Sequence, residues 1–358
     1  MVKEEMSSDV EMKDFDHLYK NGEDGDDDEM RARRTEQLIE YVHLYPNLND
    51  LSLDEQMRKI SIEIKSVEKN KRNWDCVFEV IGLNPVFLNT IRISIWNFVP
   101  TIAIEDVYFR RNTSSSFNND YISSRLTLLP IDVDPSLFKF PSRTDPDARN
   151  SENCLVFHLN EQNLNDEPRK ITSGDLRWRP IGGRQRSIPK TITVSHQNIP
   201  ICTLKKNEEI DLIAHCVKGC GKIDAKFSPG FASYHFVSQI KLKNLDQISM
   251  ETAHRIQNAF PHGVIDLIRN SDGRLMPKVV DAKLDHHTRS FLNFDDVRDS
   301  IEVRYYRDDV IFRIESFGVI DPIEMFNSAI KIVRFKAENL LSIISRKYDL
   351  FRKKSSSR

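Results

Sequence analysis

The amino-acid sequence predicts an α+β protein, because strand-like and helix-like patterns occupy separate parts of the chain. Ile60, Ile62 and Ile64 alternate with polar residues, and residues 76–81 alternate again after a polar turn, which predicts an antiparallel hairpin. Residues 322–348 instead carry apolar side chains at three- and four-residue spacing, which predicts a long amphipathic helix. Short strand patterns between these regions predict a mostly β domain inserted into the first domain.

The two ends of the chain differ in charge, although the 358 residues together carry a net charge of only −2. Residues 1–55 are predicted to be an acidic, largely disordered extension, with a short helix over 31–45 that ends at Pro46. Residues 51–59 are interpreted as a turn or linker, and residues 351–358 as a basic tail. No apolar stretch has the length of a membrane span, so no membrane partner is expected.

Two helices have clear start signals. Pro85 favours a helix that begins at its own position, and helical spacing continues from there until Pro100. Asp321 supplies an N-cap acceptor, followed by Pro322 at the first helical position and Glu324 at the third. This final helix is predicted to span about 28 residues, or about 40 Å at 1.5 Å per residue. Its length and its broad apolar stripe predict that it packs against a partner as well as against its own core.

Shorter patterns predict the remaining elements, which are a strand at 154–159, a strand at 231–242, a helix at 252–259 and an extended piece from His262. Alternation at 301–305 and 310–314 predicts a second hairpin, with its turn at Asp308 and Asp309.

The stretch 211–234, DLIAHCVKGCGKIDAKFSPGFASY, joins the inserted domain to the returning one. An apolar strand pattern breaks there into a loop before the next strand begins. Three lysines interleave with two glycines in this loop, at Lys218, Gly219, Gly221, Lys222 and Lys226. The loop is therefore predicted to be cationic, with two positions that are free to adopt positive φ.

Catalytic and metal-binding interpretations of this stretch are disfavoured by its spacing. A phosphate-binding loop would need a glycine in place of Cys216 and a Ser or Thr in place of Ile223. Cys216 and Cys220, with His215 and His235, lack the second cysteine pair of a tetrahedral metal site. His215 and Cys216 are neighbours on a strand and point to opposite faces, which argues against a Cys/His nucleophile.

Two other polar clusters favour structural roles. Residues 285–287 are Asp-His-His, and three adjacent residues rarely chelate one ion, so a polar helix start is expected there. Trp178 lies between Arg177 and Arg179, a pattern compatible with base stacking or phosphate binding. A packed strand tryptophan with a solvated basic rim is the favoured interpretation.

The stretch 211–234 resembles the signature of the alpha-like subunit shared by eukaryotic RNA polymerases I and III. In that family a segment close to HCVKG-x-GK-x-x-AKFSP is followed by ASY, and this chain matches it at 215–219, 221–222, 225–229 and 232–234. The related polymerase II subunit has only a looser KG-x-GK-x-x-AK core. The fuller match therefore favours the polymerase I and III version.

The resemblance extends to earlier segments. Residues 89–92 and 99–105 resemble the family's N-A-x-R-R-x-L and E-V-P-T-x-A-I-E elements, and residues 112–114 resemble its NTS. Residues 125–131 resemble RLGLIPI, with Thr127 in place of the glycine. Other departures are Ile93 in place of a second arginine and Ser124 in place of a histidine.

The resemblance implies an RNA polymerase alpha-like dimerisation domain, formed by 60–98 and 231–350, with an inserted, mostly β domain at 99–230. Relatives in archaea and polymerase II hold a metal or an iron–sulfur cluster in the inserted domain, but within its segment 141–170 this chain offers only Cys154. No cofactor and no metal are therefore expected, and no residue is expected to be catalytic.

The implied function is that of a non-catalytic assembly subunit in rRNA, 5S rRNA and tRNA transcription, in the nucleus including the nucleolus. The implied partners are a smaller alpha-like subunit and the second-largest and largest polymerase subunits, with DNA reached only through the complex. The candidate residues for pairing through helices are Phe87, Ile91, Ile95, Phe326, Ile330, Val333, Ala337, Leu340, Leu341 and Ile344. The candidate contacts with the large subunits are Arg92, Lys218, Lys222 and Lys226.

Three alternatives remain open at the level of the sequence. The first is the equivalent subunit of RNA polymerase II or of a viral polymerase. The second is a hydrolase that uses Cys216 or a metal site at Cys216, Cys220 and His235. The third is a nucleic-acid-binding module that uses Arg177, Trp178 and Arg179, which predicts strongly salt-dependent binding.

Overall fold

A computed structural model describes residues 39–42, 44, 51–69, 74–142, 144–145, 148–270 and 272–356. These residues divide into two compact units. The first unit consists of 39–42 and Ser238–Tyr305, and the second of 44–237 and 306–356. No helix among the described residues is long and apolar enough to span a membrane.

The described residues form helices and strands in the following order. The helices are α1 (Leu53–Lys59), α2 (Pro85–Phe98), α3 (Asn119–Thr127), α4 (Gly182–Arg186), α5 (Met250–Ala259), α6 (Asp295–Asp299) and α7 (Pro322–Ser356). The strands are β1 (Ile39–Val42), β2 (Ser61–Lys69), β3 (Trp74–Ile81), β4 (Pro100–Asn112), β5 (Ile131–Asp132), β6 (Cys154–Gln162), β7 (Arg169–Thr172), β8 (Arg177–Trp178), β9 (Thr193–Val194), β10 (Pro200–Leu204), β11 (Glu209–Cys220), β12 (Gly230–Leu242), β13 (Ile265–Arg269), β14 (Leu275–Val279) and β15 (Ile301–Ser316).

One sheet of the second unit has β3 between β2 and β15, with β12 paired to β15. The strands β2, β3 and β15 are antiparallel to their neighbours. Helices α2 and α7 pack against each other and cover one face of this sheet. The rings of Phe78, Phe312 and Phe326 meet in the core between the layers, with centroids 4.9 to 5.9 Å apart. Burial of these aromatic side chains stabilises the α2–α7 layer on the sheet.

The second sheet of this unit has the order β4-β11-β6-β8 and is antiparallel throughout. Its strand β11 alternates buried and partly exposed residues, with one change of phase at Cys216 and Val217, which are both buried. Helix α3 contributes Ile122 and Leu126 to the apolar core behind the sheet, together with Phe157 and Leu159 of β6. The strand pairs β5–β9 and β7–β10 complete this mostly β region.

The first unit contains a separate, smaller core. Strands β13 and β14 form an antiparallel pair, with Ile265 opposite Val279. Helix α5 packs on this pair through its buried residues Ala253 and Ile256. The rings of Phe260 and Phe291 stack with centroids 5.7 Å apart beside it.

Several predicted elements are confirmed. The first hairpin is β2–β3, and the first predicted helix is α2, which begins at Pro85 and ends at Phe98. The final helix begins at Pro322, where the Asp321 carboxylate accepts hydrogen bonds from the backbone N–H groups of Ile323 and Glu324. It extends to Ser356 and is longer than predicted, at 35 residues.

The second predicted hairpin is wrong, because β15 is one strand that runs through Asp308 and Asp309. The two aspartates looked like a turn, but both are buried, and the Asp308 carboxylate accepts a 2.6 Å hydrogen bond from the backbone N–H of Leu44. The carbonyl of Asp308 also accepts from the N–H of Gly82 at 2.7 Å. Tertiary hydrogen bonds therefore override the turn preference of aspartate.

Two predictions near the amino-terminal end are also wrong. Residues 39–42 of the predicted helix at 31–45 form β1, and the β-branched and aromatic residues in this stretch favour a strand. Residues 31–38 lie outside the described part of the chain. The predicted linker at 51–59 is helical from Leu53, because Ser52 and Glu55 form a complete capping box.

Candidate partner-binding surfaces

Residues 211–234, which we call the signature stretch, connect the two sheets of the second unit. Strand β11 continues through Gly219 to Cys220, where it pairs with Pro100 at the start of β4. A turn and a short 3-10 helix, Ala225–Phe227, follow before β12 begins at Gly230. The ring of Phe227 is buried against Ala103 and Val217. The stretch therefore lies against the point where the chain leaves α2 and enters β4.

This stretch donates hydrogen bonds to the backbone carbonyl groups at the carboxyl end of α2. The N–H of Lys222 donates to the carbonyl of Asn97 at 2.9 Å, and the Ser228 hydroxyl donates to the carbonyl of Trp96 at 3.1 Å. The Thr101 hydroxyl donates to the carbonyl of Phe227 at 2.7 Å. The last carbonyl groups of a helix lack partners within the helix, so the contacts from Lys222 and Ser228 stabilise the end of α2.

The two glycines of the stretch allow neighbouring backbone and ring atoms to pack closely against the chain. Neither Gly219 nor Gly221 has positive φ, so that part of the prediction is wrong. A Cβ atom on Gly221 would lie 2.0 Å from the carbonyl oxygen of Trp96, and one on Gly219 would lie 2.6 Å from the Phe227 ring. These residues are small because backbone and ring atoms occupy the space that a side chain would need.

Two of the three lysines in this stretch contact other residues of the same chain through an ion pair or a hydrogen bond. The Lys226 ammonium lies 2.7 Å from the Glu105 carboxylate, and its side chain is only 11% exposed. The Lys218 ammonium donates to the carbonyl of Phe138 at 3.1 Å and lies over the ring of Phe140. Burial lowers the pKa of Lys218, and Asp134 opposes this effect. Lys222 is exposed, so it remains the lysine of this set best placed to meet another protein.

The remaining predicted contact with a large subunit, Arg92, is half-buried on α2. Its guanidinium donates to the Asn89 side chain at 2.9 Å and lies 5.6 Å from the centre of the Trp96 ring. Trp96 is itself partly exposed and packs edge-on against the exposed ring of Phe231. The contact of Arg92 with a large subunit stays a prediction.

Helix α7 is buried at its beginning and exposed over the rest of its described side chains. Met325, Phe326 and Ala329 belong to the core of the first sheet. From Arg334 to Tyr348 every residue is exposed. The helix therefore leaves the core of its own chain after about three turns.

The predicted pairing residues fall into two groups. Ile91, Ile95 and Phe326 are buried in the core of the chain, so they offer no surface to a partner in this structure. The other seven are at least partly exposed, namely Phe87, Ile330, Val333, Ala337, Leu340, Leu341 and Ile344. The six that lie on α7 follow one face at spacings of three and four residues. That spacing is typical of a helix seam that packs against another helix.

Comparison with known proteins supports the resemblance seen in the sequence. A family model described as the RNA polymerase Rpb3/RpoA insert domain matches residues 107–231. DNA-directed RNA polymerases I and III subunit RPAC1 of Mus musculus is 31% identical over 280 residues, which cover 74% of this chain and 80% of the relative. The chain belongs to the RPAC1 family of alpha-like RNA polymerase subunits.

Other relatives of this family align over similar lengths. RPAC1 of Saccharomyces cerevisiae is 29% identical over 310 residues, which cover 82% of this chain and 90% of the relative. DNA-directed RNA polymerase subunit Rpo3 of Methanothermobacter thermautotrophicus is 29% identical over 280 residues, which cover 76% and 96%. The similarity to the RPAC1 family therefore extends well beyond the signature stretch and the inserted region.

The geometry of the cysteines and of Trp178 bears on the alternatives that the sequence left open. Cys216 is fully buried, and burial raises the pKa of its thiol well above the ordinary value, so it is not poised as a nucleophile. The described residues contain no group of three His, Cys, Asp or Glu side chains placed to hold a metal ion. The Trp178 ring packs against the core of the mostly β region, which leaves it poorly placed to stack on a base.

One exposed apolar surface was not anticipated from the sequence. Ile62, Ile64 and Val67 of β2 are each about half exposed, and every residue of this strand is exposed. The alternation that predicted the strand is also the signal for one apolar face. Sequence alone did not indicate that this face is left exposed by the part of the chain that the structure describes.

Proposed function

We propose that this chain is a non-catalytic assembly subunit of DNA-directed RNA polymerases I and III. It pairs with a smaller alpha-like subunit, and the pair forms the platform on which the second-largest and largest subunits assemble. The complex transcribes rRNA, 5S rRNA and tRNA genes, and the chain acts in the nucleus, including the nucleolus. It reaches DNA only through the complex. The names of the RPAC1 relatives support the assignment to polymerases I and III.

The observation that carries this proposal is the exposed seam of α7. Leu340 and Ile344 are 59% and 56% exposed, although both continue the stripe that begins with the buried Phe326. Exposed apolar side chains in one stripe on a helix are typical of an interface with another protein. A stripe with three- and four-residue spacing fits a partner helix.

The domain assignment follows from the same proposal. The dimerisation domain consists of 60–98 and 231–350, and it presents α7 to the smaller subunit. The inserted domain consists of 99–230, and it presents Lys222 to a large subunit. The hydrogen bonds from Lys222 and Ser228 to the end of α2 support a fixed relation between the inserted sheet and this helix.

The experiment that tests the proposal is an affinity purification of the tagged chain at high salt, with mass spectrometry of the recovered proteins. We expect a smaller alpha-like subunit and the large subunits of both polymerases I and III. The variant Ile344→Asp should lower recovery of the smaller subunit by at least about tenfold, because an unpaired carboxylate in an apolar interface costs several kcal/mol.

The matched control is Asn339→Asp, which introduces the same charge on the opposite side of α7. Asn339 is exposed, and its side chain lies outside the seam. Recovery of the smaller subunit with this variant should equal that of the unchanged chain. Recovery of only one other polymerase, or an Ile344→Asp variant that retains the smaller subunit, contradicts the proposal.

A further inference from the structure

The mostly β region contains a stretch in which positive charge is concentrated. Residues 176–207 include seven Lys or Arg residues and no Asp or Glu, although the whole chain has 52 basic and 54 acidic residues. The stretch contains β8, α4, β9 and β10. Clustered charge of one sign creates a local potential that attracts groups of the opposite sign. This stretch is therefore a candidate site for an anionic partner.

Three of these seven cations are left without a contact inside the chain. The other four contact two carboxylates, a hydroxyl and a backbone carbonyl, at 2.6 to 3.0 Å. These four are Arg184, Lys190, Lys205 and Lys206. The three that remain are exposed, and their guanidinium groups contact no acceptor in the part of the chain that the structure describes. They are Arg177, Arg179 and Arg186, which we call the arginine row.

The first two members of the row lie on the same side of β8. Arg177 and Arg179 flank Trp178, whose ring packs against the core of the mostly β region. Side chains two positions apart on an extended chain point the same way, so both guanidinium groups lie on the side away from that core. The backbone N–H of Arg179 donates to the carbonyl of Val156 at 2.8 Å, which holds this segment on β6.

The third member is held beside the same strand. Arg186 follows Gln185, which is only 1% exposed. The Gln185 amide donates to the backbone carbonyls of Ser151 at 2.9 Å and Cys154 at 2.8 Å. These contacts fix α4 beside the start of β6, where Arg179 is also bound. The row is therefore carried by backbone that hydrogen bonds hold in place.

The spacing of the row matches an extended acidic segment. The row is attached to β6 at Cys154, at Val156 and, through the pairing of Arg177, at His158. Alternate residues of a strand lie about 6.6 Å apart, and alternate side chains of an extended peptide have the same spacing. Carboxylates at alternate positions of such a peptide can therefore meet successive guanidinium groups. Guanidinium binds carboxylate through two parallel hydrogen bonds, which favours arginine at such a site.

The carboxylates nearest the row already have cationic partners. Glu152 contacts Lys139 at 2.6 Å and Arg184 at 3.6 Å. Asp211 contacts the His158 imidazole at 2.8 Å. These carboxylates therefore do not neutralise the arginine row, and its charge is left for a partner.

A nucleic-acid backbone fits the row less well than an acidic protein segment does. Trp178 is packed in the core and offers no platform on which a base could stack. Three guanidinium groups are fewer than the roughly six to ten phosphate contacts of a DNA-binding protein. The net charge of the chain is −2, so no broad positive field extends beyond the row. A short acidic segment needs only the row itself.

We propose that the arginine row binds an extended segment rich in Asp and Glu from another protein. The site lies in the mostly β region and uses neither α7 nor the first sheet. It therefore adds a separate interaction to the proposed assembly role, and binding at this site does not require the smaller alpha-like subunit.

The experiment measures fluorescence anisotropy of a short fluorescein-labelled peptide that alternates aspartate and serine, titrated with the purified full chain at low salt. We expect the triple variant Arg177→Gln/Arg179→Gln/Arg186→Gln to weaken binding at least about fivefold, because it removes three charge-assisted contacts. All three side chains are exposed, so the unfolding free energy of this variant should stay close to that of the unchanged chain. Absence of binding to the unchanged chain overturns the inference.

The matched control is the triple variant Arg110→Gln/Lys170→Gln/Lys278→Gln. It removes the same charge from three exposed positions outside the row. Binding of the peptide should stay within about twofold of the unchanged chain, because the row is intact. Equal weakening by the two triple variants would show that net charge attracts the peptide, and it overturns the inference.

Two further titrations separate the possible occupants. A fluorescein-labelled single-stranded oligonucleotide that binds more tightly than the peptide, and that is lost with the arginine row, assigns the row to nucleic acid. The second titration uses a full chain in which the six acidic residues of 23–29 are replaced by their amides. If this change tightens peptide binding at least about fivefold, the acidic segment of the chain itself occupies the row. Either result overturns the proposal of an acidic segment from another protein.

Discussion

The signature stretch and the final helix use their side chains in opposite ways. In the signature stretch, Lys218 and Lys226 turn inward and bind a backbone carbonyl and a carboxylate. In α7, Leu340 and Ile344 turn outward into solvent. Charge is thus satisfied inside the chain, and apolar surface is left outside it.

This difference teaches where a partner is needed. Lys218 and Lys226 already have a hydrogen bond and an ion pair within the chain, so they gain little from a second protein. The apolar side chains of α7 have no hydrogen bonds to lose on contact, and they gain about 25 cal/mol for each Å² removed from water. The driving force for the proposed pairing therefore lies in the helix, and the signature stretch holds the end of α2 in place beside it.

The largest effect is expected from Gly221→Ala. Its new Cβ would lie 2.0 Å from the Trp96 carbonyl oxygen and 2.6 Å from the Ser228 hydroxyl, so the backbone has to shift. We expect the free energy of unfolding to fall by about 3 kcal/mol. Chemical denaturation of the full chain, followed by tryptophan fluorescence, measures this change.

The control for that substitution is Gly183→Ala in α4. A Cβ there meets no atom within 4 Å, and alanine favours a helix over glycine by up to about 1 kcal/mol. Stability should be unchanged or slightly higher. Equal losses for the two variants would show that close packing at Gly221 is not the cause.

The next prediction compares the unfolding free energies of the variants Ile95→Ala and Leu340→Ala. Ile95 is fully buried under the first sheet, and its truncation should cost at least about 2 kcal/mol of unfolding free energy. Leu340 is 59% exposed, so its truncation should change the stability of the chain alone by less than about 0.5 kcal/mol. In the presence of the smaller subunit, Leu340→Ala should weaken pairing, as measured by titration calorimetry. A large loss of stability for Leu340→Ala in the free chain contradicts the exposed seam.

The elements that the sequence predicted well are those whose signals are local. Pro85 and Pro100 mark the limits of α2, and Asp321 with Pro322 marks the start of α7. The cap and the proline act within one turn of the backbone they control. Their effect can be read without knowledge of the rest of the fold.

The elements that the sequence predicted poorly depend on distant partners. Asp308 suggests a turn, but its hydrogen bond to Leu44 spans 264 positions of the chain. The buried residues of β15 also change parity between Tyr305 and Asp308, which resembles the break between two strands. Periodicity alone does not distinguish a shift of phase within one strand from a hairpin.

The candidate surfaces divide in the same way. The spacing of α7 predicted a helix seam, but not that Phe326 would be buried while Leu340 is exposed. That division depends on where α7 leaves the sheet. The inward direction of Lys226 likewise depends on Glu105, which lies on β4 and is far from Lys226 in the sequence.

A smaller effect is expected from Lys226→Met, with Lys222→Met as its matched control. Loss of the Lys226 ammonium leaves Glu105 without its 2.7 Å partner, so we expect a loss of about 1 kcal/mol. The Lys222 side chain is exposed, so its removal should change stability by less than about 0.5 kcal/mol. If Lys222 contacts a large subunit, only Lys222→Met should lower recovery of that subunit in the affinity purification. The reverse pattern would assign the contact to Lys226.

The smallest effect concerns pH and His215. Burial lowers the pKa of this imidazole below its ordinary value of 6.5, with Asp106 opposing the effect and Arg149 adding to it. The unfolded chain therefore binds a proton in a pH range where the folded chain does not. Stability from this group is present above pH 6.5 and is lost as the pH falls through the folded pKa.

The variant His215→Gln removes this proton uptake while it keeps a polar side chain beside the Tyr108 ring. Denaturation midpoints should therefore fall less steeply between pH 7 and pH 5 for the variant than for the unchanged chain, with the two curves closest at the neutral end. The difference between the curves isolates His215 from the other nine histidines. Parallel curves would mean that the imidazole has the same proton affinity in the folded and unfolded chain, and that the strand β11 does not desolvate it.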